Sequence, residues 1–254
     1  MWYSNVDVLS SDKLLELKQR LLLSDQKPDI IALCEVLPKN RRREINIVEY
    51  QLDNYIIESN FESTCMHRGI LLYTLRTLGS NIIKLSSNFK EHLAISFGPD
   101  MHKGIFACLY RSPLSSDDNN VMLSRAIDEL CSLPSEHVVL VGDFNFPSID
   151  WKNFTTRTSE SSKETHFIET LRDNFLMQHV EHPTRARNAS NPSLLDLVIS
   201  RDDNTISDIL YQTALGKSDH SLIEFKIKTK HIIETGHREF RDYDRADYDG
   251  MRQT

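Results

Sequence analysis

At 254 residues, with 39% hydrophobic and 26% charged side chains, the chain can bury a large core, in one α/β domain or two small ones. That composition excludes wholesale disorder, and the net charge of −7 argues against a general nucleic-acid coat protein, which would be basic. A nuclease stays open, because carboxylates clustered for a metal lower the total charge while local Arg and Lys still grip phosphate.

No apolar run approaches the length of a membrane span and no signal peptide opens the sequence, so neither membrane insertion nor secretion is expected. Cys34, Cys65, Cys108 and Cys131 lie far apart, with no CxxC pair. Cys34 and Cys108 fall inside apolar, strand-like runs and read as reduced core thiols, which points to the cytosol or nucleus.

The first element is a short apolar start, Met1-Trp2-Tyr3-Ser4, cut short at Met1, before Asn5-Val6-Asp7. From Leu14 to Leu23 the apolar spacing predicts a helix, capped by Ser10, Ser11 or Asp12, with Pro28 beyond its end. Ile30-Ile31-Ala32-Leu33-Cys34 reads as a buried strand with Glu35 at its tip. Arg41-Arg42-Arg43 is a compact basic run, either a solvated loop or a contact to DNA backbone. Strands are expected over Gly69–Leu75, Leu93–Phe97 and Gly104–Tyr110, the last running into Tyr110-Arg111-Ser112-Pro113. A helix follows over 121 to 131.

Val138 to Val141 are four consecutive apolar β-formers, the mark of a strand buried on both faces. The run stops at Gly142, and Asp143 and Asn145 follow at i, i+2, repeating the arrangement of Asn5 and Asp7. If the strand continues, both side chains point the same way, with Phe144 turned back into the core. A carboxylate and a carboxamide offered together suit a metal-bound phosphate, although Asp and Asn are also common in strand-ending turns. Residues 155 to 163 read as loop, and Phe167, Ile168, Leu171, Phe175 and Leu176 predict a helix over roughly 164 to 176. In Leu194-Leu195-Asp196-Leu197-Val198-Ile199 a lone carboxylate interrupts an apolar strand and requires a partner. Gly216-Lys217-Ser218-Asp219-His220 precedes a last strand, Leu222 to Ile227, and residues 229 to 254 turn charged, as a linker would.

Ser4-Asn5-Val6-Asp7, the strand ending in Cys34-Glu35, Tyr110-Arg111-Ser112-Pro113, Gly142-Asp143-Phe144-Asn145, Pro183-Thr184-Arg185, Leu194-Leu195-Asp196-Leu197-Val198 and Ser218-Asp219-His220 stand in an order that resembles the endonuclease/exonuclease/phosphatase superfamily. Ile149-Asp150-Trp151 and the Pro-Thr-Arg segment point to the apurinic-type endonuclease domain of LINE-like, non-long-terminal-repeat retrotransposons. The resemblance covers residues 1 to about 228. Cys34-Glu35-Val36 stands where Thr-Glu-Thr is more usual, and Glu35 is kept.

The resemblance implies an α/β fold, a four-layer sandwich of two mostly antiparallel β-sheets flanked by helices. It implies Mg²⁺, with Mn²⁺ as a substitute, held by Glu35, Asp7 and Asn5. Asp143 would be the general base, Asn145 would orient nucleophile or phosphate, and His220, held by Asp196, would donate to a phosphate oxygen. Tyr110 would contact the phosphate and Asp219 would assist on the metal or water side. Arg111, Arg185 and Arg187 are the expected DNA contacts, and the polar loop from Thr184 to Ser193 is expected to choose where the DNA is cut. Double-stranded DNA and a reverse transcriptase domain of a longer polyprotein, towards which 229–254 would lead, are the implied partners. Synthesis in the cytoplasm and action in the nucleus follow, and the product would be a nick whose 3′-hydroxyl primes reverse transcription. The rivals are a phosphoesterase of the same superfamily on another phosphodiester and an inactive retroelement fragment that only binds DNA or a partner.

Overall fold

Two six-stranded sheets face each other across an apolar interior, with one helix outside the first and two outside the second. The computed structural model describes residues 1–39, 46–61, 68–99, 102–156, 158–186 and 191–228. Along them run β1 (Trp2–Asn5), α1 (Ser11–Leu23), β2 (Ile30–Cys34), β3 (Tyr55–Ser59), β4 (Ile70–Leu75), β5 (Asn81–Ile83), β6 (His92–Phe97), β7 (Gly104–Tyr110) and α2 (Asp117–Ser132). They are followed by β8 (His137–Asp143), β9 (Ile149–Asp150), β10 (Thr155–Thr156), α3 (Lys163–Asp173), β11 (Met177–Gln178), β12 (Asp196–Ser200), β13 (Ile206–Gln212) and β14 (Leu222–Ile227). The predicted Arg41–Arg43 run, Cys65, Arg187 and the charged segment 229–254 lie outside the described residues.

Strand alternation builds the four layers. In β2, Ile30, Ala32 and Cys34 face the other sheet, while Ile31 and Leu33 pack against Leu17 and Leu21 of α1. In β7, Phe106, Cys108 and Tyr110 face the first sheet, while Ile105, Ala107 and Leu109 meet α2 and α3. Strands covered on both faces carry no polar alternation, which is why they read as unbroken apolar runs. Each helix opens on a serine, Ser10, Ser116 or Ser162, whose side chain accepts from the backbone N–H three residues on.

Both sheets are mostly antiparallel, and each has one parallel pair at its centre: β1 with β2, and β7 with β8. The parallel strands end at one edge of the sandwich. The antiparallel neighbours β12 and β14 begin at that same edge, Asp196 lying opposite Asp143. Asn5, Glu35, Tyr110, Asp143, Asp196 and His220 are thereby gathered at one end of the molecule.

Four features depart from the sequence reading. Helix α2 starts at Asp117, and α3 stops at Asp173: Phe175 sits at φ 55° and is 80% exposed, while Leu176 packs inward from beyond the helix. Thr155 and Thr156 form a two-residue strand with β9 inside the expected loop. Strands β3, β5 and β13 carry too little burial to announce themselves, and β13 also shifts register between Ser207 and Leu210. Strand β8 ends at Asp143 rather than running on through Asn145.

Gly142 is demanded by close approach. A Cβ there would sit 1.8 Å from the Leu109 carbonyl oxygen on β7, inside the parallel pair that carries Tyr110 and Asp143. Gly142→Ala is therefore expected to destabilise the domain by about 1–3 kcal/mol, as forced overpacking does. In a thermal melt that is a fall of several degrees for a domain of this size. A melting temperature equal to wild type would mean that β7 gives way more readily than its central position suggests.

Candidate active site

Asp143 is 1% exposed at the end of β8. The Asn5 Nδ2 donates to its Oδ2 at 2.8 Å, and the backbone N–H of Asn145 donates to its Oδ1 at 3.1 Å. The second bond turns the chain back on itself, so Asn145 adopts φ 50° and arrives beside Asp143 through an Asx-turn rather than through strand alternation. The Asp7 N–H closes the same turn on Asn5 Oδ1 at 3.1 Å, with Asp7 at φ 35°. The recurrence of i, i+2 pairs in the sequence is thus a recurrence of one turn. The backbone is left-handed at Asp7 and Asn145, where these turns close, and again at Glu35.

Asp196 is fully buried and has the partners its position demanded. Its Oδ1 accepts from the Tyr3 hydroxyl at 2.8 Å, its Oδ2 lies 2.7 Å from Nδ1 of His220, and its own N–H donates to Thr184 Oγ1 at 3.1 Å. With Nδ1 committed to Asp196, His220 turns Nε2 towards Asp219 Oδ1 at 3.7 Å and Asp143 Oδ2 at 3.9 Å. Asp143, Asp196 and His220 bring ligand-type atoms within 4.8 Å of one another. Both oxygens of Asp196 are engaged, one by Tyr3 and one by His220, an arrangement suited to holding the imidazole and its proton in place.

Glu35 sits at φ 53° just past β2, accepting from Tyr110 Oη at 2.5 Å and pairing with Arg68 at 2.6 Å. Arg68 also reaches Asp7 at 2.7 Å and donates from Nε to the Leu37 carbonyl at 2.8 Å. The guanidinium stands as the cation between Glu35 and Asp7, so this spot is built to hold positive charge. Glu35, Asp7 and Asn5 supply oxygen donors alone, the set that Mg²⁺ or Mn²⁺ prefers. On that chemistry the residues fit a hard divalent ion.

A cleft of about 540 Å³ opens over these groups, lined by Asn5, Glu35, Tyr110, Asp143, Asn145 and His220. Asp7 and Asp219 reach it too, the latter paired with Arg185 at 2.9 Å. Tyr110 spends its hydroxyl on Glu35, where a phosphate contact was expected. Arg111, expected among the DNA contacts, is 1% exposed, its guanidinium enclosed between the Phe146 ring and Asn120. Residues 187–190 of the loop that begins at Thr184 lie outside the described residues. Arg68, Tyr3 and Thr184 were missed by sequence reading. Only Tyr3 left a usable signal there, because alternation sets it on the same face of β1 as Asn5.

Burial, and after it the charge of Asp196, push the Asp143 carboxyl up to about 7, against the pull of His220 and the Asn5 hydrogen bond. Burial alone would lower the pKa of His220, but the charge and hydrogen bond of Asp196, with Asp143 and Asp219 behind, outweigh it and raise it to about 9. The Tyr110 hydroxyl is pushed up by burial and by Glu35, and stays protonated. His220 thus binds its proton more tightly folded than unfolded. Its contribution to stability is complete below its ordinary value of 6.5 and is lost as pH rises through about 9. The metal-free protein is therefore expected to lose up to about 1.4 kcal/mol per pH unit across that window from this group. Urea melts in chelator at several pH values check this, and His220→Gln should flatten the slope. A slope unchanged by His220→Gln would assign it to other groups.

Residues 104–224 match the endonuclease-reverse transcriptase family. No curated protein matches the chain significantly. Among solved structures, the endonuclease domain of TRAS1, a telomere-specific non-LTR retrotransposon, is similar at a TM-score of 0.63 and 11% identity, covering 91% of this chain and 99% of that one. The AP endonuclease LMAP from Leishmania major is similar at a TM-score of 0.65 and 15% identity, over 91% of this chain and 87% of the other. The catalytic domain of Xenopus laevis APE2 gives a TM-score of 0.64 at 13% identity, over 91% and 92%. At such identities the likeness is one of fold.

Proposed function

We propose that this chain, which belongs to the endonuclease/exonuclease/phosphatase superfamily and matches its endonuclease-reverse transcriptase branch, is a divalent-metal-dependent endonuclease that nicks double-stranded DNA. The observation that carries the reading is the convergence, in one cleft, of a buried carboxyl that titrates near neutrality with a carboxylate-held imidazolium and an oxygen-rich ion site. The family name and the retrotransposon endonuclease among the similar folds support DNA as the substrate. They also support a setting in which a reverse transcriptase domain of a longer polyprotein uses the nick.

The residues divide the work as follows. Asp143, ionised above about pH 7, takes the proton from the attacking water, and the amide of Asn5 and the turn at Asn145 keep its oxygens aimed. Asn145 orients the nucleophile or the phosphate. His220 keeps Nδ1 on Asp196 and presents Nε2–H to the phosphate oxygen on which charge builds. Mg²⁺ or Mn²⁺ held by Glu35, Asp7 and Asn5 would supply Lewis-acid stabilisation of the leaving 3′ oxygen. Arg185 and Arg68 add positive charge at the rim and floor of an acidic cleft, which favours approach of a phosphodiester.

Supercoiled plasmid is the direct test. Open circles are expected with Mg²⁺ or Mn²⁺ and not in chelator, and a DNA polymerase should extend the nicks without prior phosphatase treatment, as a 3′-hydroxyl requires. Binding of DNA without relaxation under any metal would favour the inactive-fragment reading. Hydrolysis of a non-DNA phosphodiester with the plasmid left intact would favour the phosphoesterase.

A further inference from the structure

Arg111 is among the largest side chains buried completely, and all but one of its hydrogen bonds run to the turn that carries Asp143 and Asn145. Its backbone N–H donates to the Asp143 carbonyl at 2.9 Å, and its own carbonyl accepts from Asn145 Nδ2 at 2.7 Å. Its guanidinium returns through NH1 to the Asn145 carbonyl at 3.0 Å, lies 4.1 Å from the centre of the Phe146 ring, and donates from Nε to Asn120 in the first turn of α2 at 2.7 Å. Asn145 is thus held at both ends by one residue, its side-chain amide by the Arg111 carbonyl and its backbone carbonyl by the Arg111 head group.

A buried cation is a poor route to stability, and here the NH2 nitrogen and the Asn120 Nδ2 are both enclosed with no hydrogen-bond partner. A methionine of similar length would fill the space with less desolvation. What it would not do is reach two acceptors in fixed directions from a flat head group. Asn145 needs that restraint, because at φ 50° it occupies a conformation that its own backbone does not favour.

We propose that Arg111 is the positioning residue for Asn145. It fixes the left-handed turn and so points the Asn145 carboxamide in the direction that the nicking reaction requires, and it does not touch DNA. The functional half of this inference rests on the nuclease reading; the structural half does not.

The test is a double-mutant cycle on single-turnover nicking of plasmid DNA, with Arg111→Lys, Asn145→Ala and the double variant. Arg111→Lys keeps a cation over Phe146 but lacks the fork. It is expected to slow the rate at saturating DNA by about 10- to 100-fold, the scale of a misplaced catalytic group, with DNA affinity unchanged. The double variant is expected to be no slower than Asn145→Ala alone, because Arg111 acts only through Asn145. Losses that multiply, or a loss of DNA affinity at an intact rate, would overturn the proposal, the second by making Arg111 a DNA contact.

Hydrogen exchange at the Asn145 side-chain amide, followed by NMR without DNA, decides the structural half independently. Exchange should be slow in wild type and faster in Arg111→Lys, and equal exchange would overturn the proposal even in an active enzyme. If wild-type protein relaxes no plasmid, the nuclease reading fails while the exchange result still stands. Asn120→Ala removes only the Nε acceptor and covers the case in which Arg111→Lys fails to fold. It should shift amide exchange in the same direction by less, and no shift would count against Arg111 as the anchor.

Discussion

Asp143→Ala is expected to slow plasmid nicking by about 10²–10⁴-fold, the contribution typical of a general base, with the fold retained. The stability half of that expectation follows from opposing terms. Alanine leaves the Asn5 amide and the Asn145 N–H without their acceptor, at about 1–3 kcal/mol each. Against this, wild type above about pH 7 carries an ionised carboxylate in a site whose burial and whose neighbour Asp196 both disfavour charge, and removing it gives that energy back. The two terms are of similar size, so the melting temperature at pH 8 should stay within a few degrees of wild type. Activity lost with stability kept is the signature of a catalytic carboxyl. If Asp143→Ala nicks at the wild-type rate in nuclease-free preparations, another group is the base.

Asp196→Asn and His220→Ala should each slow nicking on a similar scale, about 10²–10⁴-fold, and together no more than His220→Ala alone. Asp196 has no exposed atom to offer a substrate: one oxygen receives Tyr3 and the other holds His220. Its effect must therefore pass through the imidazole. Without its charge the pKa of His220 falls, although Asp143 and Asp219 still raise it, so the proton needed at Nε2 is lost at a lower pH than in wild type. The fall of Asp196→Asn activity at high pH is accordingly expected to begin at lower pH than in wild type, and His220→Ala to lack that alkaline fall while keeping the acid-side fall set by Asp143. Losses that multiply in the double variant, with no acid shift in Asp196→Asn, would mean that the two residues work independently.

The strand-tip residues were legible because each followed an apolar run long enough to be a buried strand. A polar side chain at the end of such a run has to emerge at a sheet edge. Asp196 was legible for the opposite reason, as a charge inside a run where no charge belongs without a partner. The identity of that partner as His220 came through the resemblance, but Tyr3 and Thr184 did not, since they belong to Asp196 only by way of contacts between distant parts of the chain. Arg68 was invisible in the same way, standing next to β4 in sequence yet acting on Glu35 and Asp7. Arg111 was read as a DNA contact because it neighbours Tyr110 at the cleft, but just past the end of β7 its guanidinium turns inward over Phe146. Edge strands such as β13 escaped because half their residues stay in water, and Asp208 at φ 53° breaks the alternation that would have marked the rest.

Strand β1 pairs with β2 on one side and β14 on the other, and Ser218, just ahead of β14, donates to the carbonyl of Asn5 across 213 residues of sequence. A ribosome adding about 5–20 residues per second takes about 10–40 s to cover that span. Throughout that interval the nascent chain holds β1 with one edge unpaired, and His220 has not yet been made. The site is therefore completed late, when Leu222–Ile227 emerges and pairs with the free edge of β1.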